Sequence, residues 1–173
     1  MITNQPKLHL KGISQVALVV KDLKKSMDAY WKILGIGPWK VYEYGPELVK
    51  DQRYRGRPMA YHTWVALANF GDQVIELMEQ IDGDTLYKEY EEKCGEGVQH
   101  LGVFVDNFAE AVKEAEAAGF KVIMTGHGYG KNGDSAYAYL DTAGALGVIW
   151  ELIEIPTERA TPAYIYPPEA VSK

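Results

Sequence analysis

Four polar side chains interrupt short apolar stretches of the sequence and could act together on one ligand. They are Gln15, Glu76, His100 and Glu151. Side chains on a strand point alternately to opposite faces, so a single polar residue in an apolar strand points towards solvent, a ligand or a metal. Burying a lone carboxylate is costly without a partner. Two such carboxylates and an imidazole need a shared compensating charge, and a divalent cation would supply it.

The strands that carry these residues belong to a pattern that occurs twice. Gln15 and His100 lie 85 residues apart, and the same offset relates Asp22 to Asn107. The two glutamates lie 75 residues apart. We assign the ten-residue difference to an excursion at 45–58, which has no clean period and is expected to run over the surface. A repeat of this length is too long for a solenoid unit.

The repeat predicts an α+β fold with two β-α-β-β-β modules, whose half-barrel sheet surrounds a metal-containing cavity. One domain spans 1–173. The first module covers about 11–80, the second about 96–155, and a Pro- and Tyr-rich tail about 156–173. Residues 1–11 are expected to form a loose arm. Helices are predicted to run from a cap at Asp22 to about Leu34, from Thr85 to about Lys93 after a start at Asp84, and from a cap at Asn107 to about Ala118.

Composition excludes several classes of function. The net charge of -6 and the pI near 5.2 argue against nucleic-acid binding. No apolar run is long enough for a membrane span, and the N-terminus has no apolar core of a signal sequence. The single cysteine, Cys94, excludes an intramolecular disulfide and fits a reducing compartment, so we expect a cytoplasmic protein.

Four short motifs, taken in order, resemble the vicinal oxygen chelate superfamily, which contains glyoxalase I and methylmalonyl-CoA epimerase. The motifs are Ser14–Ala17, Ile75–Glu79, Val98–Val103 and Gly147–Leu152. The superfamily usually has histidine where this chain has Gln15, although some glyoxalase I enzymes use this Gln/Glu/His/Glu set. The surroundings of the last two motifs are more similar to the epimerase branch.

The resemblance implies a metal-dependent enzyme that acts on a carbonyl compound, usually as a dimer. We expect a racemase or epimerase that exchanges the proton on the carbon α to a carbonyl through a metal-stabilised enolate. The substrate is an acyl-CoA such as methylmalonyl-CoA, or an aromatic ketone. One alternative is a glyoxalase I-like lactoylglutathione lyase, and another is a metal-free small-molecule-binding protein. A ring-cleaving dioxygenase is disfavoured because such enzymes use two histidines and a carboxylate.

Catalytic roles are assigned to Glu151 as one base and to His62 or Glu76 as the group that returns the proton. An epimerase glutamate aligns with Trp64, and His62 would share the face of Trp64 if that residue faced the cavity. The residues predicted to line the substrate pocket are Trp64, Tyr44, Tyr54, Tyr137 and Lys131.

The predicted metal ligands are Gln15, Glu76, His100 and Glu151. This mixed nitrogen and oxygen set suits one divalent ion of zinc, cobalt, nickel, manganese or iron. The predicted partners are the small-molecule carbonyl substrate and a second copy of the chain in a homodimer, with no nucleic acid and no membrane.

Overall fold

One mixed sheet runs through the computed structural model of the protein, which describes residues 6–168. The outer parts of the predicted arm and tail, residues 1–5 and 169–173, lie outside the described residues. The eleven described strands are β1 (Gln15–Val19), β2 (Trp39–Tyr44), β3 (Lys50–Tyr54), β4 (Arg57–Pro58), β5 (His62–Phe70), β6 (Gln73–Asp82), β7 (Gly97–Phe104), β8 (Val122–His127), β9 (Ala136–Leu140), β10 (Ile149–Glu154) and β11 (Tyr164–Tyr166). The helices are α1 (Leu23–Leu34), α2 (Leu86–Cys94), α3 (Phe108–Ala117) and α4 (Ala143–Leu146).

The strand order is β11-β2-β5-β6-β1-β7-β10-β9-β8-β3-β4. Strands β2-β5-β6-β1 come from the first half of the chain, and β8-β9-β10-β7 repeat the same order in the second half. Antiparallel pairing of β1 with β7 joins the two halves at the centre of the open sheet. The predicted α+β fold with two β-α-β-β-β repeats is therefore confirmed, and the two repeats of one chain pair with each other.

Helices α1 and α3 cover the outer face of the sheet, one under each repeat. Asp22 caps α1 by accepting a hydrogen bond from the backbone of Lys25 at 2.9 Å, and Asn107 caps α3 in the same way. Leu23 and Met27 of α1 are buried against β2, β5 and β6. Each such apolar side chain contributes about 1.5–3 kcal/mol through burial. With its outer face covered by these helices, the sheet presents its inner face to the site.

The excursion at 45–58 was predicted to run over the surface, but it joins the sheet. It forms β3 and β4, and β3 pairs with β8 at the far edge of the second repeat. Val49, Gln52 and Tyr54 are buried there, because their side chains point into the core that the sheet encloses. The described part of the tail likewise pairs with this chain, as β11 lies against β2.

None of the helices in residues 6–168 is long and apolar enough to cross a membrane.

Candidate metal centre and cavity

Four neighbouring strands bring the predicted metal ligands to one place. Gln15 lies on β1, Glu76 on β6, His100 on β7 and Glu151 on β10, and these strands are adjacent in the order β6-β1-β7-β10. Each repeat contributes one residue from its first strand and one from its last. The first-strand residues belong to the antiparallel pair β1–β7, so the four side chains meet at the junction of the two repeats.

Two small residues make room for this convergence. Ala17 pairs with both Glu76 and His100 in the strand registers, and Gly102 pairs with both Gln15 and Glu151. A Cβ atom on Gly102 would lie 3.0 Å from Cβ of Gln15 and 3.3 Å from Oε2 of Glu151. Any larger residue at this position would therefore press on the site.

The polar atoms of the four side chains are close together and almost without solvent contact. Nε2 of His100 lies 3.0 Å from Oε2 of Glu151 and 3.4 Å from Oε2 of Glu76. The amide of Gln15 donates to Glu76 at 2.9 Å and to Glu151 at 3.4 Å. The exposed fraction is 0% for His100 and at most 7% for the other three residues.

Burial and mutual charge shift the titration of this group. Burial raises the pKa of Glu76, against the opposing effect of His100. Burial alone lowers the pKa of His100, but the carboxylates of Glu151 and Glu76 outweigh it and raise that pKa to about 9. Two acids and one base thus share a low-dielectric space, in which a positive charge between them is strongly favoured.

The geometry around His100 fits a metal ligand. Its Nδ1 lies 2.7 Å from Oε1 of Gln99, so Nδ1–H donates to this amide and the other nitrogen is left for a ligand. Nε2 is buried and makes no hydrogen bond to any described residue, although it faces the two carboxylates. One ligand atom from each of Glu76, His100 and Glu151 lies within 4.8 Å of the others, so the three residues could hold a metal ion.

A narrow cavity of about 30 Å³, open to solvent at its mouth, adjoins this centre. Five tyrosines and several aliphatic side chains form its wall. Most tyrosine hydroxyls are already paired, as in Tyr87 with Tyr139 at 2.7 Å and Tyr137 with Tyr61 at 2.6 Å. Burial raises the pKa of each of these tyrosines, so their hydroxyls stay neutral. The wall is aromatic and apolar around a charged floor.

The predicted pocket residues divide into two groups. Tyr44 and Tyr137 line the cavity. Tyr54 does not line it and instead packs in the core, with its hydroxyl bonded to Glu89. Lys131 is exposed and paired with Glu158.

Trp64 and His62 face away from the cavity, which corrects the predicted alignment. Val65 and Leu67 of the same strand line the cavity, so strand alternation directs Trp64 to the outer face. There Trp64 packs with the α1 core. His62 is not among the cavity residues, and its Nδ1 lies 3.5 Å from Oε1 of Glu43. The structure does not bring His62 to Glu76 and Glu151.

Among polar residues, sequence reasoning missed Gln99 and four members of the cavity wall: Tyr87, Tyr129, Tyr139 and Arg159. Tyr139 could have been found, since it lies two residues from Tyr137 on the same strand. Arg159 lies beyond the last strand of the second repeat, in a tail that carries no periodic signal.

The sequence profile of the glyoxalase/bleomycin resistance protein/dioxygenase superfamily matches residues 14–139. The chain belongs to this superfamily. The match spans strands of both repeats and three of the four convergent residues, and it confirms the resemblance found in the motifs. No curated protein matches the sequence significantly.

Solved structures share the fold over most of the chain. Methylmalonyl-CoA epimerase from Mycobacterium tuberculosis has a TM-score of 0.63 at 20% identity, covering 90% of this chain and 93% of its own. A Streptomyces coelicolor methylmalonyl-CoA epimerase in complex with 2-nitronate-propionyl-CoA has a TM-score of 0.64 at 17% identity, covering 88% and 99%. A hypothetical protein from Bacillus halodurans C-125 has a TM-score of 0.63 at 20% identity, covering 87% and 98%. At these identities the likeness establishes the fold.

Proposed function

We propose that the protein is a metal-dependent racemase or epimerase that exchanges the proton on the carbon α to a carbonyl. The observation that carries the proposal is the convergence of two buried carboxylates and an imidazole from both repeats beside one cavity. The structural likeness to methylmalonyl-CoA epimerases supports an acyl-CoA such as methylmalonyl-CoA as substrate. An aromatic ketone would also suit the tyrosine-rich wall.

Glu76, His100 and Glu151 would hold the divalent ion. Gln15 would become a fourth ligand through its amide oxygen if the amide turned over, because in this structure its Nε2 faces the two carboxylates. A bound divalent ion would polarise the substrate carbonyl and make the neighbouring C–H acidic. Gln99 keeps the His100 ring in one orientation through the contact at Nδ1. Aliphatic and aromatic side chains exclude water, which strengthens every charge interaction in the site.

Glu151 is proposed as the base that removes the α-proton. The residue is 4% exposed and lines the cavity together with Ile153, so few water molecules reach its carboxylate. Glu76 is proposed to return the proton. It comes from the other repeat, and β1 and β7 separate its strand from that of Glu151, so the two acids reach the centre from opposite sides of this strand pair. His62 has no part in this scheme because it lies outside the cavity.

A second candidate is a lactoylglutathione lyase of the glyoxalase I type. The amide of Gln15 in the first ligand position favours it, since some glyoxalase I enzymes resemble this chain in that position. Moving the abstracted proton to the neighbouring carbon, rather than to the opposite face, would give this reaction. Turnover of methylglyoxal with glutathione would support it.

The test is proton exchange in deuterated water followed by NMR. Metal-loaded protein should introduce deuterium at the α-carbon of methylmalonyl-CoA, and removal of the metal by a chelator should stop the exchange. His62→Asn is a matched control that should exchange at the wild-type rate. If metal-loaded protein exchanges no α-hydrogen of methylmalonyl-CoA or of an α-substituted aromatic ketone, the proposal is wrong.

The predicted homodimer and cytoplasmic location remain part of the proposal. The four ligands come from one chain, so a second copy is not needed to assemble the centre. Light scattering coupled to size-exclusion chromatography would give the oligomeric state, and a mass of one chain would contradict the dimer.

A further inference from the structure

Arg159 is the one cationic side chain in the described wall of the cavity that also holds Glu76 and Glu151. It is exposed to solvent while lining this cavity, so it lies where the cavity opens. Within residues 6–168 its guanidinium makes no hydrogen bond or ion pair. An arginine at a cavity mouth with five free donors is able to recognise a planar anion.

The backbone around Arg159 is held in place by the glycine-rich loop before β9. Arg159 forms a β-bridge with Gly130, and the amide of Lys131 donates to the carbonyl of Glu158 at 2.9 Å. A Cβ atom on Gly130 would lie 2.2 Å from Cβ of Pro156, so the close approach of loop and tail requires glycine. The backbone of the tail is therefore held next to the cavity, and it places the Arg159 side chain at the cavity mouth.

The charge balance of the site with a divalent ion bound indicates which kind of substrate group Arg159 contacts. If a divalent ion is bound, the two carboxylates of Glu76 and Glu151 balance it, and Gln15 and the imidazole of His100 are neutral. One positive charge, that of Arg159, then remains in the cavity wall. A substrate with a negative group near its reacting carbonyl would complete this balance, whereas a neutral ketone would not.

We propose that Arg159 binds a carboxylate of the substrate, so that the substrate is a carbonyl compound carrying a carboxylate close to the reacting carbon. This inference rests on the proposed function, since it describes the same cavity. Arg159 takes the place of Lys131 as the basic residue of the substrate pocket, because Lys131 is paired with Glu158 outside the cavity wall. It also disfavours the neutral aromatic ketones.

A phosphate of a coenzyme A group is the other possible source of the anion. In an acyl-CoA the phosphates lie many bonds from the thioester, beyond a pantetheine arm, whereas an acyl carboxylate lies within a few bonds. Arg159 shares one cavity wall with the base Glu151, and this favours the carboxylate.

The test compares the binding of malonate with that of malonamide, a neutral compound of similar shape, to cobalt-loaded protein. Binding is followed by calorimetry, and cobalt content is measured for every variant. Wild-type protein should bind malonate more tightly than malonamide. Arg159→Gln should weaken malonate binding by about ten- to a hundredfold, because a charge-assisted pair is lost. The same variant should leave malonamide binding and cobalt content unchanged, and Arg159→Lys should fall between the two.

Arg57→Gln is the control, since it removes an exposed arginine from β4, outside the cavity. It should bind malonate like the wild type. Equal malonate affinity in wild type and Arg159→Gln would overturn the proposal. It would also be overturned if Arg159→Gln weakened the binding of inorganic phosphate, measured in the same way, but not that of malonate. Dependence of malonate binding on Arg159 in a protein that catalyses no α-proton exchange would support this inference while contradicting the proposed function.

Discussion

The two repeats supply the same strand positions to the site but different chemistry. Gln15 and His100 occupy equivalent places on the paired strands β1 and β7. The imidazole is fully buried, is backed by Gln99, and faces both carboxylates with a free nitrogen. The amide instead donates to both carboxylates. One backbone position in a duplicated fold can thus hold either an imidazole with a free nitrogen or an amide that donates to two acids.

The largest effect is expected from removing the proposed bases, one from each repeat. Glu151→Gln should lower α-proton exchange by about 10²- to 10⁴-fold, the contribution of a positioned general base. Glu76→Gln should stop interconversion of the two epimers yet still allow deuterium to enter one of them. NMR of each epimer in deuterated water, at matched metal content, would distinguish the two variants. Equal exchange of both epimers by Glu76→Gln would contradict the assignment of one base to each repeat.

Exchanging the two first-strand residues tests the difference between the repeats. His100→Gln should weaken zinc or cobalt binding by at least about a hundredfold, the upper value for loss of a supporting partner. Gln15→His should bind these metals at least as tightly as wild type, because imidazole suits both. Competition with a chromophoric chelator would give the affinities. If the two variants lose affinity equally, the second repeat does not supply the stronger ligand.

A smaller effect is expected from replacing Gln99, whose Oε1 contacts Nδ1 of His100. No described hydrogen bond supports Gln15 in the same way in the first repeat. Gln99→Leu should weaken metal binding by about 10–100-fold, since the His100 ring loses the partner that orients it. Gln99→Glu keeps an acceptor and should restore most of the affinity. Chelator competition measures both variants. Unchanged affinity in Gln99→Leu would show that the contact does not orient the ring.

Titration of His100 should make the stability and the metal affinity depend on pH in opposite ways. Without metal the carboxylates raise the pKa of His100 to about 9, above its usual value near 6.5. Their stabilisation of the folded, metal-free protein is then fully present below about pH 6.5 and is lost as the pH rises through 9. Apparent metal affinity should change the opposite way, falling about tenfold per unit below pH 9, because a proton must leave Nε2. Thermal melts and metal titrations between pH 6 and 9 measure both trends, and His100→Gln should abolish the first.

Much of the fold could be predicted because the signals were local or repeated. Asp22 and Asn107 marked the helix starts through their capping chemistry, and the offset between Gln15 and His100 located equivalent strands. The predicted ligand set followed from the same repeat, since one polar residue in each apolar strand had to point to a common face.

Other features depended on contacts that sequence patterns do not contain. The sequence does not show which face of β5 encloses the cavity. Val65 and Leu67 line it, so Trp64 and His62 lie on the other face. The excursion became β3 and β4 because its inward side chains meet β8 of the other repeat. Arg159 reaches the cavity only because Gly130 lets the tail pass close to the loop.

Anomalous diffraction from crystals of cobalt-loaded protein would locate the bound metal. We expect one strong peak per chain, within bonding distance of Glu76, His100 and Glu151 of that same chain and next to the amide oxygen of Gln15. A metal-loaded crystal with no peak among these four side chains, or with its peak elsewhere on the chain, would contradict this expectation.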